Sequence, residues 1–436
     1  LARQVLTDVV CAFCGCGCDN LEVIVEQDRI LSVKHGCAIS VSKYLNYQNE
    51  RNLTPLIRSG GKLKKTTYAR AIDKVAKILA NSHYPLLYGW SSTSNEAIRI
   101  GVQLAETVGG VIDNTTSICH GPTILGLQDI GEATCTLGEV RHRADLIVYW
   151  GSNPVHSHPN HMLRYTVMRQ GRFRRSRKER KMIVVDVRRT DTARLADRFV
   201  QIEPNADYEL LTALRMAIRG DDIEVDSVAG VPVETIEELA DIMISCEFGV
   251  IFFGVGLTMS MGKHRNVDAA LSLVRDLNSK TKFLIMPMRG WFNVTGADHV
   301  SAWITGYPYA VDLSRGYPRY NPGDTSAIEI ASRGECDSAL IVASDPISNF
   351  PAQAAKHLTK IPLITVDPHI TSTTLASDVV LPSTFTGIET AGNIYRMDGV
   401  PLATRKLIDP PKGLRSDVEI LEAIIKRVKK IKRGSS

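Results

Sequence analysis

Cys11, Cys14, Cys16, Cys18 and Cys37 place five thiols within 27 residues, a density no folding core requires. The other four cysteines, Cys119, Cys135, Cys246 and Cys336, are scattered, so the N-terminal group is not one corner of a disulfide framework. Gaps of two and three residues between Cys11, Cys14 and Cys18 let one tight loop wrap a metal centre, and Cys37 can close the cage from a distance. Four thiolates of this kind hold an iron–sulfur cluster, and structural zinc uses similar spacings. Spacing alone leaves both open. A second reactive group lies in Ser117-Ile118-Cys119-His120-Gly121-Pro122, which follows an apolar strand-like stretch and precedes a helix start. From there a side chain can reach a ligand at the mouth of a sheet. Arg289, in Pro287-Met288-Arg289-Gly290-Trp291, ends another apolar stretch, and a guanidinium can hold a carboxylate through two parallel bonds.

Such groups need a scaffold. Past the thiols, helical and short apolar segments alternate, the pattern of a doubly wound parallel sheet. Tyr68 to Ser82 predicts an amphipathic helix, Pro85 to Trp90 a buried strand and Asn95 to Val108 a helix. Asp145 to Trp150 and Met182 to Val187 read as strands with a helix over His161 to Gln170 between them. The alternation resumes with Gly249 to Gly254, Arg265 to Asn278 and Lys282 to Met288, then with Ala339 to Ala343, Ala352 to Leu358 and Leu363 to Val366. The fold class is α/β, with two Rossmann-like halves. Gly151-Ser152-Asn153-Pro154 and Ser344-Asp345-Pro346-Ile347-Ser348-Asn349 look like cognate loops of two related units.

The 436 residues suffice for roughly two to four domains. No apolar run of membrane-spanning length and no charged-then-apolar leader is readable, so a cytoplasmic protein without a membrane span is expected. Nine cysteines suit a reducing compartment and metal ligation. The net charge of +5 hides a local basic run, Arg172, Arg174, Arg175, Arg177, Lys178, Arg180 and Lys181. Without interleaved aromatics it reads as a solvated loop or subunit contact rather than a nucleic-acid patch. The basic tail from Lys426 to Arg433 reads as the end of an exposed helix.

The string Cys-x2-Cys-Gly-x-Gly-Cys resembles the start of the molybdenum and tungsten bispterin oxidoreductases, the formate dehydrogenases above all. The resemblance implies a 4Fe-4S cluster on Cys11, Cys14, Cys18 and Cys37, with Cys16 a spectator. Many relatives carry a lysine closer to the fourth ligand; here the next is Lys43, six residues on, a departure that also fits a solvated helix lysine. Gly151, Ser152 and Asn153, then His158, then Asp186, Arg188 and Thr190, then Pro204 and Asp207 resemble, in that order, the family's loops for molybdopterin guanine dinucleotide. Small residues let backbone amides approach a diphosphate, and carboxylates accept from ribose or guanine. Gly254 and Gly256, Ser344-Asp345-Pro346, Asp367 and the Glu389 to Asn393 segment resemble the second half of that cradle. This leaves little room for a zinc site on His156, His158 and His161.

Cys119-His120 matches the point where formate dehydrogenases carry cysteine or selenocysteine followed by histidine. The resemblance implies that Cys119 ligates tungsten or molybdenum, held also by two molybdopterin guanine dinucleotides and an inorganic sulfido ligand. Arg289 then binds formate, and His120 positions substrate or handles a proton. As a whole the chain is similar to the family of B subunits of formylmethanofuran dehydrogenases. The implied division is an iron–sulfur domain at 1–51, a pterin domain from 52–118 with 313–436, and a second at 119–312 carrying the redox site. The superfamily's C-terminal barrel would come from a separate D subunit. The implied reaction is reversible reduction of CO2 to formate. Formate would pass to an amidohydrolase-like A subunit with two zinc ions for condensation with methanofuran, in methanogenesis, and ferredoxin-like carriers would bring electrons. A formate dehydrogenase chain of another complex, and a non-catalytic iron–sulfur scaffold, are the alternatives.

Overall fold

The structure is a computed structural model that describes residues 3–434. The chain forms two compact units, one of residues 3–118, 291–396 and 401–434, the other of residues 119–290 and 397–400.

The first unit begins with a three-stranded antiparallel sheet, Gln4–Val9, Leu21–Glu26 and Arg29–Lys34. Gln27 and Asp28 take positive φ (49° and 56°), as a two-residue hairpin matched to strand twist requires. The main sheet has nine strands. Its parallel centre runs Val111–Asn114, Pro85–Gly89, Ser338–Val342, Leu363–Val366 and Val379–Leu381, and antiparallel strands cover both edges. Numbered along the chain, the centre has the order 2-1-3-4-5, so the winding reverses between Pro85–Gly89 and Ser338–Val342. Both faces are covered, so the central strands are buried along their whole length and successive side chains enter opposite cores. Leu87 joins a core with helices Tyr68–Asn81, Asn95–Val108 and Asp417–Gly434, while Leu86 and Tyr88 join helices Ala327–Arg333 and Ala352–Leu358. The basic tail is therefore one face of a packed helix. Ile420, Leu421, Ile424 and Val428 on its other face are fully buried.

The second unit holds five parallel strands in the order Arg198–Gln201, Lys181–Asp186, Leu146–Trp150, Phe248–Phe253 and Lys282–Pro287. Its chain order is 3-2-1-4-5, with the reversal between Leu146–Trp150 and Phe248–Phe253. Helices Asp207–Arg219, Val233–Ser245 and His264–Leu277 pack on the sheet around one apolar core. One expected element is shorter than the sequence implies: only His161–Arg164 is helical. The buried Tyr149 hydroxyl binds both His161 Nδ1 (3.1 Å) and Thr166 Oγ1 (2.9 Å), and this draws the chain out of the helical path. Among the described residues no helix is long and apolar enough to cross a membrane.

Candidate functional site

In the second unit the two strands that flank the reversal end in backbones packed face to face. Gly151 follows Leu146–Trp150 at φ 52°, and Gly256 N–H donates to its carbonyl at 3.0 Å. A Cβ on Gly256 would sit 2.6 Å from Gly151 Cα, so neither loop tolerates a side chain at this point. The close approach leaves a mouth of small residues suited to a diphosphate. Ser152 and Asn153 are held rather than loose. Ser152 Oγ donates to Met288 Sδ at 3.0 Å, and Asn153 Oδ1 accepts from Thr192 Oγ1 at 2.6 Å. Thr192 is a residue sequence reasoning missed. Asp186, at the next strand end, accepts from Arg188 N–H at 3.2 Å, and burial raises its pKa. Thr190 Oγ1 caps Ala193 N–H at 3.1 Å. Asp207, three residues past Pro204, accepts from the buried Trp150 Nε1 at 2.8 Å, which commits one of its oxygens to the core.

The first unit repeats this geometry. Ala343 at φ 48° stands where Gly151 stands, and Asp345 (φ −125°, ψ 69°) matches Asn153 (φ −123°, ψ 72°), each followed by a proline that opens a short helix. Asp345 Oδ1 accepts from Thr373 N–H at 2.8 Å, as Asn153 accepts from Thr192. Ile347 N–H donates to Thr373 Oγ1 at 3.1 Å, and Val155 N–H to Thr192 Oγ1 at 3.3 Å. Ser344, Asp345 and Asp367 open onto a cavity of about 500 Å³ whose wall also includes Phe13, Lys43 and Asp417. Burial, reinforced by Asp417 and Asp345, raises the pKa of Asp367 to about 7. The Glu389 to Asn393 segment departs from its expected part in this cradle. Both Glu389 oxygens take Arg51 at 2.5 Å, and Asn393 Nδ2 donates to Glu96 at 2.6 Å.

The redox candidates lie in the second unit. Cys119 is partly buried, and its carbonyl accepts from Thr258 Oγ1 at 2.6 Å, just past the Gly254-Val255-Gly256 turn. His120 is 1% exposed, and its Nδ1 is 3.0 Å from Thr123 Oγ1. Burial, helped by the charge of Arg289, pushes its pKa down to about 3, so the ring is neutral near pH 7. Arg289 is buried. Its carbonyl meets His158 Nε2 at 2.9 Å, while His158 Nδ1 meets Ser157 Oγ at 2.8 Å. With both nitrogens engaged, His158 braces the Arg289 backbone. His156 faces Asp191 at 2.5 Å and His161 faces Tyr149, so the three histidines do not gather on a zinc ion. Glu132, with no part in any sequence motif, also lies within reach of the Arg289 charge.

In the first unit the thiol loop closes on itself through Cys11 N–H to Cys18 O (2.7 Å) and Gly17 N–H to Cys14 O (3.1 Å). Cys37 precedes helix Ala38–Asn46, and its carbonyl accepts from Val41 N–H at 2.9 Å. The Cys11 thiol is held well above its usual pKa by burial, with Cys14, Cys18 and Cys37 adding to the shift, so these four share one neighbourhood. Cys16 is buried, and its thiol hydrogen-bonds to Cys14. Among the described residues no three side chains converge on a single ion. The chemistry of the donors fits a cluster, which takes one soft thiolate on each of four irons. Lys43 stands 5.5 Å from the Phe13 ring centroid, and its charge helps lower the Cys14 pKa.

With this geometry in view, comparison with known proteins gives the family. The molybdopterin oxidoreductase model matches residues 51–427. The chain is 50% identical, over 98% of its length and 99% of the relative's, to the B subunit of the tungsten-containing formylmethanofuran dehydrogenase 2 of Methanocaldococcus jannaschii. The counterpart of Methanococcus maripaludis is 48% identical over 98% of this chain and 100% of its own. Among solved structures, the formyltransferase/hydrolase complex of Methylorubrum extorquens with methylofuran has a chain of like fold. It gives a TM-score of 0.70 at 21% identity, over 88% of this chain and 100% of that one. The chain belongs to the molybdopterin oxidoreductase family and, within it, to the branch formed by the B subunits of the tungsten-containing formylmethanofuran dehydrogenases.

Proposed function

We propose that this chain is the subunit that reversibly reduces CO2 to formate, CO2 taking up two electrons and one proton, and that formate passes to a partner for condensation with methanofuran. The observation that carries the reading is the bonding around Arg289. His158 of the first strand-end loop holds its backbone, Ser152 of the same loop holds Met288, and the Arg289 charge bears on His120. Residues of the first strand-end loop are thus bonded to the Met288-Arg289 segment, whose charge reaches the histidine that follows Cys119. When bound, a tungsten or molybdenum bispterin centre with a sulfido ligand, together with a 4Fe-4S cluster, supplies the two-electron exchange.

The residues do the rest. The loops at Gly151 and Gly256 and their counterpart at Ser344-Asp345-Pro346 hold the two guanine dinucleotides, with Asp186 and Asp367 as acceptors. Cys119 offers a soft thiolate to the metal. Arg289 binds the carboxylate of formate and steadies the charge that grows on CO2 oxygen. His120, neutral and buried, donates or accepts a hydrogen bond there rather than carrying a charge. Cys11, Cys14, Cys18 and Cys37 hold the cluster, with Lys43 of the cavity wall beside Phe13 near that loop. The partners are an amidohydrolase-like dizinc subunit, a second subunit that supplies the barrel, and ferredoxin-like carriers, within the cytoplasm.

The test is a single preparation of the intact complex, assayed for formate oxidation with an artificial acceptor and for tungsten, molybdenum, iron and zinc. The expected result is formate oxidation with one tungsten or molybdenum and four irons assignable to this chain. A complex that carries the metals and neither oxidises formate nor reduces CO2 would overturn the reading. Iron absent and zinc in its place on the N-terminal thiols would overturn the cluster.

A further inference from the structure

The basic run from Arg172 to Lys181 has no part in the reaction proposed above, and a buried arginine organises it. Arg180 is 2% exposed, and its guanidinium donates to backbone carbonyls on two segments. Val140 (3.3 Å), Arg141 (2.5 Å) and Ala144 (2.8 Å) belong to the end of helix Leu137–Arg143. Arg169 (3.2 Å) and Arg174 (3.3 Å) belong to the loop. A cation is well placed where a helix leaves carbonyls unpaired, and here it ties the loop to the helix. Further bonds clasp the two. Arg172 N–H donates to His142 Nδ1 at 2.9 Å, Phe173 N–H to His142 O at 3.1 Å and Arg174 Nε to Arg143 O at 3.2 Å. A Cβ on Gly171 would lie 2.1 Å from Arg141 O, so the loop presses backbone to backbone on the helix end.

The loop divides its charges into two sets. Arg174 pairs with Glu247 and, at 3.7 Å, with Asp145, and Arg177 pairs with Asp197 at 2.8 Å. Among the described residues Arg169, Arg172, Arg175 and Lys178 form no ion pair, and all four are exposed. Phe173 stands among them, 53% exposed, with its ring centroid 4.9 Å from the Arg143 guanidinium and 5.6 Å from that of Arg172. Met168, beside Arg169, is exposed as well.

Because the backbone beneath Phe173 is already fixed, docking here orders little more than side chains. Aromatic residues and arginine are enriched where proteins meet, and the unpaired cations call for carboxylates opposite. The same cations exclude a second copy of this face, which would set like charges together. Phenylalanine and methionine favour a protein over nucleic acid, whose phosphate backbone offers them no apolar counterpart.

On the reading that this chain works as one subunit of a complex, we propose that the loop at 168–178 docks an acidic face of another subunit. Phe173 enters an apolar recess there, and Arg172, Arg175 and Lys178 meet carboxylates around it.

The experiment uses the purified intact complex. A zero-length carbodiimide joins an amine to a carboxylate in direct contact, and it should link Lys178 to an aspartate or glutamate of another subunit. The double variant Arg172→Glu, Arg175→Glu should hold that same subunit at least about a hundredfold more weakly, and Phe173→Ala about tenfold more weakly. In the unaltered complex, salt near ~1 M should weaken the same contact, because the screening length falls to about 3 Å. These side chains are exposed, so helix content by circular dichroism and tungsten or molybdenum content should not change. A full set of subunits held as tightly in the double variant overturns the proposal, and so does a Lys178 linked to no other subunit. Loss of nucleic acid from that variant, with every subunit retained, overturns it in favour of a nucleic-acid site. If the unaltered preparation holds this chain alone, it is the reading as a complex that fails. A complex indifferent to the substitutions leaves that reading standing and removes the loop alone.

Discussion

Arg289 serves through its shape as much as its charge, and Arg289→Lys separates the two. Lysine keeps the positive charge and loses the planar fork, so a site that holds formate bidentately is damaged by the exchange. Loss of one charge-assisted bond costs about 1.5–3 kcal/mol, or roughly a ten- to hundredfold fall in kcat/KM for formate. The His158 contact is to the backbone carbonyl of residue 289 and survives the substitution. Metal and iron content should therefore match the unaltered complex. Activity and tungsten or molybdenum falling together would mean that Arg289 supports the cofactor instead. His120 shows how far residue type can be read without structure. Its position beside Cys119 was legible, but its neutrality follows from burial and from Arg289, 169 positions on, a neighbour that only folding supplies.

At the scale of elements, the working unit is a strand, a tight loop of small residues, and a threonine on the next strand-end segment that pins the loop. The chain builds it twice, at Asn153 with Thr192 and at Asp345 with Thr373. Apolar runs bounded by glycine, serine and proline made the strands and the paired loops legible. The pins were not, because one threonine close to another carries no pattern until its hydroxyl is seen against a partner. Nor was the end of the helix at Arg164, which a tyrosine from a neighbouring strand decides. Backbone contact between the loops gives a direct test. Gly256→Ala would force a methyl to 2.6 Å from Gly151 Cα, where the obstacle is backbone that no rotamer can move aside. Overpacking of this kind costs about 1–3 kcal/mol, and the loops must part to relieve it. The expected result is loss of guanine dinucleotide from purified protein with helix content retained by circular dichroism. Full nucleotide content in that variant would show that the loop mouth does not hold the diphosphate.

At the scale of the whole chain, the first unit is assembled from stretches that sequence keeps far apart: the chain leaves it after residue 118 and returns at 291. Arg51 and Glu389 close that distance. They lie 338 positions apart, their side chains are 3% and 0% exposed, and two bonds of 2.5 Å join them. The guanidinium also lies over the Phe385 ring at 4.7 Å from its centroid. A buried pair of this kind adds little net stability relative to apolar residues of like volume, yet removing one partner strands a charge and costs about 3–5 kcal/mol. Arg51→Met should thus lower the thermal midpoint of the first unit sharply, as should Glu389→Leu. The double substitution should recover most of the loss, because neither charge is left unpaired. Thermal unfolding of the purified variants, followed by circular dichroism, checks all three. Additive losses in the double variant would mean that the two residues act through other contacts. Recovery of stability with loss of iron or pterin would mean that the ion pair is kept to fix the geometry of the cavity wall that Tyr47, Phe385 and Ile388 line beside it, rather than to hold the fold together.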